Sequence, residues 1–310
     1  MKIADKDVAR IRALSETTCH VTQTNETATK DAIRHFVDGI GDPNPLWRDE
    51  HYASGTRYRC LIAPPSFLNA IFPALWDKDL PGIPRFDAGC EWEWFTTIRV
   101  NDTFTVTNTF EGMVAKKAEP VGERMFLQSG VLKYHNQMDK VVGTCRWSTI
   151  WTEFSSEVQE FISEKHKKTQ RYLYTEEELE AIERGYAEEE IRGANPRYWE
   201  DVVVGEEIKP VVKGPLTHAD MVAFVGGIGY LGKAHALNPH RKEGYHVRQN
   251  VDTGVIEPGE GVHFLDDVAR SITGEPFAFN MGIQRLCWLG HLMTNWMGDD
   301  GFLKKLSAQF

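Results

Sequence analysis

With 310 residues, 41% of them hydrophobic and 26% charged, the chain has a globular composition and the length for one large core or two ordinary ones. A formal net charge of -10 argues against a broad nucleic-acid surface, although a small basic pocket for an anionic ligand remains compatible with it. No apolar run is long enough to span a bilayer, and the charged N-terminus MKIADKDVARIRALSE lacks a signal core, so a cytoplasmic protein without membrane or nucleic-acid partners is expected.

Residues 4–15 have the pattern of a short amphipathic helix. Thr27 or Thr29 is placed to cap a second helix, in which Ile33, Phe36, Val37 and Ile40 recur at helical spacing. Gly39 and Gly41 end it, and the run Asp42–Pro45 makes a turn. A further helix is predicted over Pro65–Trp76, where Phe67, Leu68, Ile71, Phe72 and Leu75 form one stripe and Pro64-Pro65-Ser66 suits a first turn. Segments 90–99, 103–111, 125–136 and 141–151 are then rich in β-branched and aromatic residues, with turn signals between them. Helices followed by a run of antiparallel strands define an α+β class rather than strand–helix alternation.

From 154 to 200 the chain is charged and helical, and Thr175-Glu176-Glu177-Glu178 matches a capping box opening a helix through Leu179, Ile182 and Tyr186. This run reads as a connector with a solvated face. Thr217-His218-Ala219-Asp220 caps another helix through Met221, Val222, Phe224 and Val225. A last strong helix covers Ile283–Trp296, with Leu286, Leu289, Leu292 and Met293 assigned to its apolar face, and no second set of strands is expected after it. The expected units are residues 1–153, a connector at 154–200, and a partial second domain at 201–310. Five scattered cysteines without CxxC spacing read as reduced, buried thiols.

The segment Gly41-Asp42-Pro43-Asn44-Pro45-Leu46-Trp47, followed by Asp49 and Ala53, carries the strongest motif. It resembles the signature loop of MaoC-like dehydratases and (R)-specific enoyl-CoA hydratases, which reads Asp-x-Asn-Pro-aliphatic-His with later acidic and Ala positions. Ile62-Ala63-Pro64-Pro65-Ser66-Phe67 resembles the opening of that family's central helix, and Asn101-Asp102-Thr103 resembles a strand start. The resemblance spans about residues 30–153 and implies a hot-dog fold, a long helix wrapped by an antiparallel sheet. Hydration of a 2-enoyl thioester needs a carboxylate and an imidazole on one side of the substrate. Helix-start N–H groups hold the developing enolate. Trp47 stands where the family has its histidine, and an indole N–H is a donor only. The N-terminal copy is therefore expected to have lost its own chemistry, with Trp47 and Ser66 shaping an acyl or CoA tunnel.

In the second unit, Ala269 follows His263 by six residues, as in the family loop, and Phe279-Asn280-Met281-Gly282 resembles the segment supplying the oxyanion donor. Pro258 occupies the position of the family's aspartate, which leaves Glu257 as the nearest carboxylate. An ordinary packing role for His263 is the competing reading. Together the halves resemble double-hot-dog acyl dehydratases whose N-terminal domain is of FAS1-like dehydratase type, here with one complete copy and an incomplete second one.

The resemblance implies a hydro-lyase subunit acting on 2-enoyl or 3-hydroxyacyl-CoA, with no metal or redox cofactor and CoA present only as part of the substrate. His263, Glu257 and Gly282 are its expected proton-transfer and oxyanion groups, with Asp42 and Asn44 as the alternative pair. The other readings are a non-catalytic acyl-binding or scaffold subunit and a hot-dog thioesterase. An uncovered stripe on the last helix implies either a truncated form or an oligomer in which a second MaoC-like subunit completes the C-terminal unit. Gly227–Gly232 matches GxGxxG but follows a helix, and His235, His240 and His246 lack ligand spacing, so neither is assigned a site.

Overall fold

The computed structural model describes residues 2–73, 80, 83, 85–117, 124–153, 156–166, 168–229, 234–237, 247–249 and 254–310. The first elements are α1 (Asp5–Arg12), β1 (Thr18–His20) and α2 (Lys30–Ile40). Thr29 accepts from Ala32 N–H as the cap of α2, and Gly41 ends it in the left-handed conformation at φ 63°, which glycine adopts without a Cβ penalty. Ile33, Phe36, Val37 and Ile40 are all buried, as their spacing requires.

After α3 (Glu50–Gly55) and the two-residue β2 (Ile62–Ala63), the expected helix over 65–76 is cut short. A 3-10 turn at Pro65–Phe67 leads into α4 (Leu68–Ile71), and Phe72 is already extended at φ −152°, ψ 115°. The cause is Pro73, whose ring disfavours helical backbone at the residue before it. The end of α4 is tied to the sheet by the buried Tyr134 hydroxyl, which donates to the Phe72 carbonyl at 2.6 Å.

Of the strands β3 (Arg85–Trp94), β4 (Ile98–Arg99), β5 (Phe104–Lys117), β6 (Arg124–Asn136) and β7 (Val141–Thr152), β6 and β7 fall where the sequence predicts them, β5 runs beyond its predicted end, and the predicted segment 90–99 is split between β3 and β4. Alternate residues of β6, among them Phe126, Gln128, Leu132 and Tyr134, face inward and are buried. Gly130 takes one inward position because the Trp147 ring fills the space, and a Cβ there would lie 2.6 Å from it. The buried indole N–H groups of Trp147 and Trp151 donate to Asn108 and Gln128, so these two inward polar residues are at least half satisfied.

The connector supplies α5 (Ser156–His166) and α6 (Glu176–Ala187), and the capping box at Thr175 and Glu178 is formed. Beyond it lie α7 (His218–Gly227), β8 (Val247–Gln249), β9 (Ile256–Pro258), α8 (Asp266–Thr273) and α9 (Gly282–Met297). One strand follows α9, and it joins the sheet of the first unit rather than opening a second set. β10 (Lys305–Gln309) pairs antiparallel with β3, giving a six-stranded sheet in the order β1-β5-β6-β7-β3-β10. Ile62 and Ala63 pair separately with β4.

The second unit is thus built onto the first. α7 crosses α2 with backbone against backbone: a Cβ on Gly39 would stand 2.6 Å from the Ala223 carbonyl oxygen, and one on Gly227 2.5 Å from that of His35. One core cluster joins α2, the sheet, α7 and α9, whereas Val262, Val268, Ala269 and Ile272 form a small satellite with Phe279 against it. The buried face of α9 is also rotated from the predicted stripe. Ile283, Leu286, Cys287, Gly290, His291, Thr294 and Asn295 point inward, while Leu289 is 42% exposed and Leu292 and Met293 are half-buried. The first unit, not an absent sheet, covers most of that helix. Of the five thiols, Cys90, Cys145 and Cys287 are buried, but Cys19 is exposed and Cys60 half-buried, against the expectation for all five.

Candidate active site

The loop after α2 builds itself from short polar side chains. Asp42 N–H donates to the Val37 carbonyl at 2.9 Å, and Asp42 Oδ1 accepts from Asn44 N–H at 3.0 Å. Asn44 Oδ1 then accepts from Leu46 N–H at 2.9 Å, capping the 3-10 turn Pro45–Trp47. These turns consume part of the hydrogen-bonding capacity of Asp42 and Asn44. Asp42 Oδ2 is buried and without a partner among the described residues.

Opposite the loop stands a residue outside the sequence-derived candidates. His291, from the middle of α9, brings Nε2 to 3.5 Å from Asp42 Oδ1 and 2.8 Å from Glu189 Oε1. An ionised carboxylate only accepts, so the short Glu189 contact puts a proton on Nε2. Asn295, one turn further along α9, donates to the same Glu189 oxygen at 2.9 Å. Its amide nitrogen also lies 3.1 Å from Nε2, where two donors meet and no hydrogen bond forms once Nε2 is protonated. Lys213 closes the group, with Nζ donating to the Ile40 and Gly41 carbonyls at 2.9 and 2.7 Å. Lys213 supplies one cation for the two carboxylates, and His291 supplies a second only when its buried Nδ1, which has no partner among the described residues, is protonated as well.

The electrostatics of the two carboxylates differ. Burial raises the Asp42 pKa above the ordinary aspartate value, and the His291 charge, the Asn44 N–H, the Trp47 indole and Lys213 offset it only in part. The Trp47 indole N–H favours the Asp42 charge without completing a hydrogen bond. At Glu189 burial also acts upward, but the hydrogen bonds from His291 and Asn295 and the charges of His291 and Lys213 win, so its pKa is lowered. Lys213 is lowered by burial, against the pull of Glu189 and Asp42. Beside this group Asn44, Trp47, Tyr58, Trp94, Thr294 and Asp299 line a cavity of about 30 Å³, room for about one water.

The remaining candidates lie elsewhere. His263 ends a 3-10 turn beside the satellite cluster, its Nδ1 is 2.8 Å from the Phe279 carbonyl oxygen, and its ring stands edge-on to Phe279. Glu257 lies on β9, opposite Arg248, and its side chain falls outside the described residues. Gly282 begins α9, but the Phe310 ring occupies the space before it, and a Cβ there would lie 2.4 Å from the ring. Ser66 is buried against Gly290 of α9, and Trp47 is buried in the main core. His240 and His246 lie outside the described residues, as does part of the Gly227–Gly232 segment. No cluster of three metal-ligating side chains occurs among the described residues, and none of their helices is long and apolar enough to cross a membrane.

The structure therefore brings Asp42 and Asn44 together with Trp47 and adds His291, Glu189, Asn295 and Lys213. A signal for His291 was present in α9, where His291 and Asn295 form a polar i, i+4 pair on a helix that is apolar at most of its other positions. Glu189 and Lys213 carried no local signal, because each meets the site only through the folding of the chain, Glu189 from the connector and Lys213 from the start of the second unit.

Comparison with known proteins bears on the fold and the family. Residues 15–145 match the family described as FAS1-like, dehydratase domain region. A UPF0336 protein of Streptomyces avermitilis is 31% identical over 97 residues, which cover 27% of this chain and 61% of that protein. A "Probable enoyl-CoA hydratase alpha subunit" of Thermomonospora curvata is 25% identical over 136 residues, covering 37% of this chain and 42% of the relative. The chain thus spans less than two thirds of either relative. Among solved structures, a MaoC-like dehydratase superposes with a TM-score of 0.61 at 15% identity, over 96% of this chain and 83% of that one. A MaoC domain protein dehydratase from Chloroflexus aurantiacus gives 0.55 at 15% identity, over 91% and 71%. These two likenesses carry the hot-dog fold, and residues 15–145 carry a sequence match to the FAS1-like dehydratase region.

Proposed function

We propose that the chain is a hydro-lyase subunit that adds water to a 2-enoyl-CoA thioester or removes it from a 3-hydroxyacyl-CoA, with Asp42 as its general base. The observation that carries this reading is the buried Asp42 with a free Oδ2, held by the family's Asp-x-Asn-Pro turn. In hydration Asp42 accepts a proton from water as the water oxygen bonds to C3. The C2–C3 π pair moves into the thioester enolate, and the protonated Asp42 returns its proton to C2 as the C=O re-forms, so the atoms of one water enter the product and the carboxylate is restored. Protein groups and the CoA carried by the substrate suffice for these steps.

The name of the Thermomonospora relative supports a partner subunit, and we infer that a second MaoC-like chain completes the tunnel over α9, where Leu289 remains exposed. A second reading, a non-catalytic acyl-binding or scaffold subunit, is favoured by one feature: Trp47 fills the family's histidine position and leaves a cavity with room for only about one water. Crotonyl-CoA hydration by the purified chain, alone and with a second MaoC-like subunit, separates the two readings. Activity lost in Asp42→Ala but kept in His263→Ala supports the Asp42 site. Loss only in His263→Ala moves the chemistry to the second unit, and activity untouched by either leaves the scaffold reading.

A further inference from the structure

The imidazole missing from the loop has a replacement in space. We propose that His291, delivered by α9 of the second unit and anchored by Glu189, is the positioning residue of Asp42, so that a carboxylate–imidazole pair assembled from two units stands in for the one that Trp47 interrupts. This rests on the hydro-lyase reading and names a residue that reading does not require.

Several observations converge on this pair. Four separate parts of the chain meet here: the loop after α2, Glu189 beyond α6, Lys213, and α9. His291 and Asp42 have no side-chain exposure, and Glu189 is 11% exposed. A buried, charged cluster costs several kcal/mol per ion unless the charges are matched, so an accidental arrangement would be selected against. Here the match is one imidazole between two carboxylates, with a lysine beside them. The anchor resembles the third group that orients a catalytic base: Glu189 takes the short contact, fixing the ring, and the longer contact leaves Asp42 free to change protonation.

The work His291 does follows from charge. Burial favours the protonated form of Asp42, which is useless as a base. A cation at 3.5 Å favours the carboxylate. The other groups facing Asp42 are Lys213, which also favours the carboxylate, and the neutral Asn44 and Trp47 donors; Glu189 faces His291 and balances its charge. When it carries a proton on both ring nitrogens, His291 thus favours the Asp42 carboxylate against burial, and it need not touch substrate.

The test is the pH profile of kcat/KM for crotonyl-CoA, with any required partner subunit present, in wild type, His291→Gln and Asp42→Asn. His291→Gln is expected to lose about 100-fold or more near pH 7, within the range for a positioned acid–base group, and to recover as pH rises and Asp42 ionises without help. Asp42→Asn is expected to lose as much and to recover nowhere. A His291→Gln profile within about threefold of wild type, or lowered equally at every pH, overturns the pairing while leaving the hydro-lyase reading intact. An inactive wild type overturns both. Should His291→Gln not fold, carbon-13 spectra of labelled aspartate in wild type, assigned with Asp42→Asn, decide instead. Two coupled titration steps are expected for Asp42, and one independent step overturns the pair.

Discussion

His291 and His263 lie in the same half of the chain, yet their surroundings have little in common. His291 has no exposed surface and faces two carboxylates in the seam between the units. His263 is half-buried at the satellite cluster, with Nδ1 taken up by a backbone carbonyl and an aromatic edge beside it. The first environment supplies charge that can change during a reaction, and the second supplies packing and a tautomer lock. A family-like spacing around a histidine is therefore weaker evidence than the groups its ring meets.

The largest expected effect breaks or secures this contrast directly. Asp42→Ala should lower crotonyl-CoA turnover by about 10²–10⁴-fold, while His263→Ala stays within about threefold of wild type. Steady-state kinetics at one pH suffice, and equal losses at both positions would remove the distinction.

The same substitution placed in each region compares their packing. Ile33→Ala, at a fully buried position of the main core, should cost toward the upper end of about 2–5 kcal/mol. Ile272→Ala, 9% exposed in the four-residue satellite, should fall at the lower end of about 2–5 kcal/mol, because its surroundings can collapse. Urea unfolding followed by tryptophan fluorescence reads both, and a reversed order would mean that the satellite is no minor cluster. Next in size is Gly39→Ala. Its new Cβ meets backbone rather than a movable side chain, so α2 and α7 must separate, at about 1–3 kcal/mol. Wild-type stability in Gly39→Ala would show that the seam gives more easily than its contacts suggest.

How far the sequence reveals this seam depends on the range of the signals. The sheet was legible because alternation is local: segments 125–136 and 141–151 coincide with β6 and β7, and 103–111 opens β5, whereas 90–99 takes in only the second half of β3 and then β4. Thr29, Thr175 and Thr217 were legible as caps for the same reason. The helix over 65–76 failed where one local rule opposed another, the apolar stripe against Pro73. The α9 stripe failed in phase, since its leucines suggested one face while the small and polar residues Gly290, His291 and Thr294 mark the buried one. Half the candidate site was legible, as Asp42 and Asn44 lie in one motif. The other half was not, because Glu189, Lys213 and His291 meet Asp42 across more than a hundred residues of chain and share no spacing rule.

The smallest effect concerns stability, and its sign separates a functional carboxylate from a structural one. The folded pKa of Asp42 is raised, so the fold binds that proton more tightly than the unfolded chain does. Its stabilising contribution is complete below the unfolded value and is lost as pH rises through the folded pKa. Asparagine imitates the protonated form and can still accept from Asn44 N–H. Asp42→Asn should therefore match wild type near pH 4 and melt at the same temperature or higher at pH 7–8. Glu189 has the opposite sign: its lowered pKa gives stability above the unfolded value, lost as pH falls through the folded one. Glu189→Gln should melt lower than wild type at neutral pH, with the gap closing in acid. Melting curves of the three proteins from pH 4 to pH 8 read both trends. An Asp42→Asn chain that is less stable than wild type at neutral pH would mean that the carboxylate holds the seam together, whereas a gain there, alongside lost turnover, is the mark of a charge kept for chemistry at a cost to the fold.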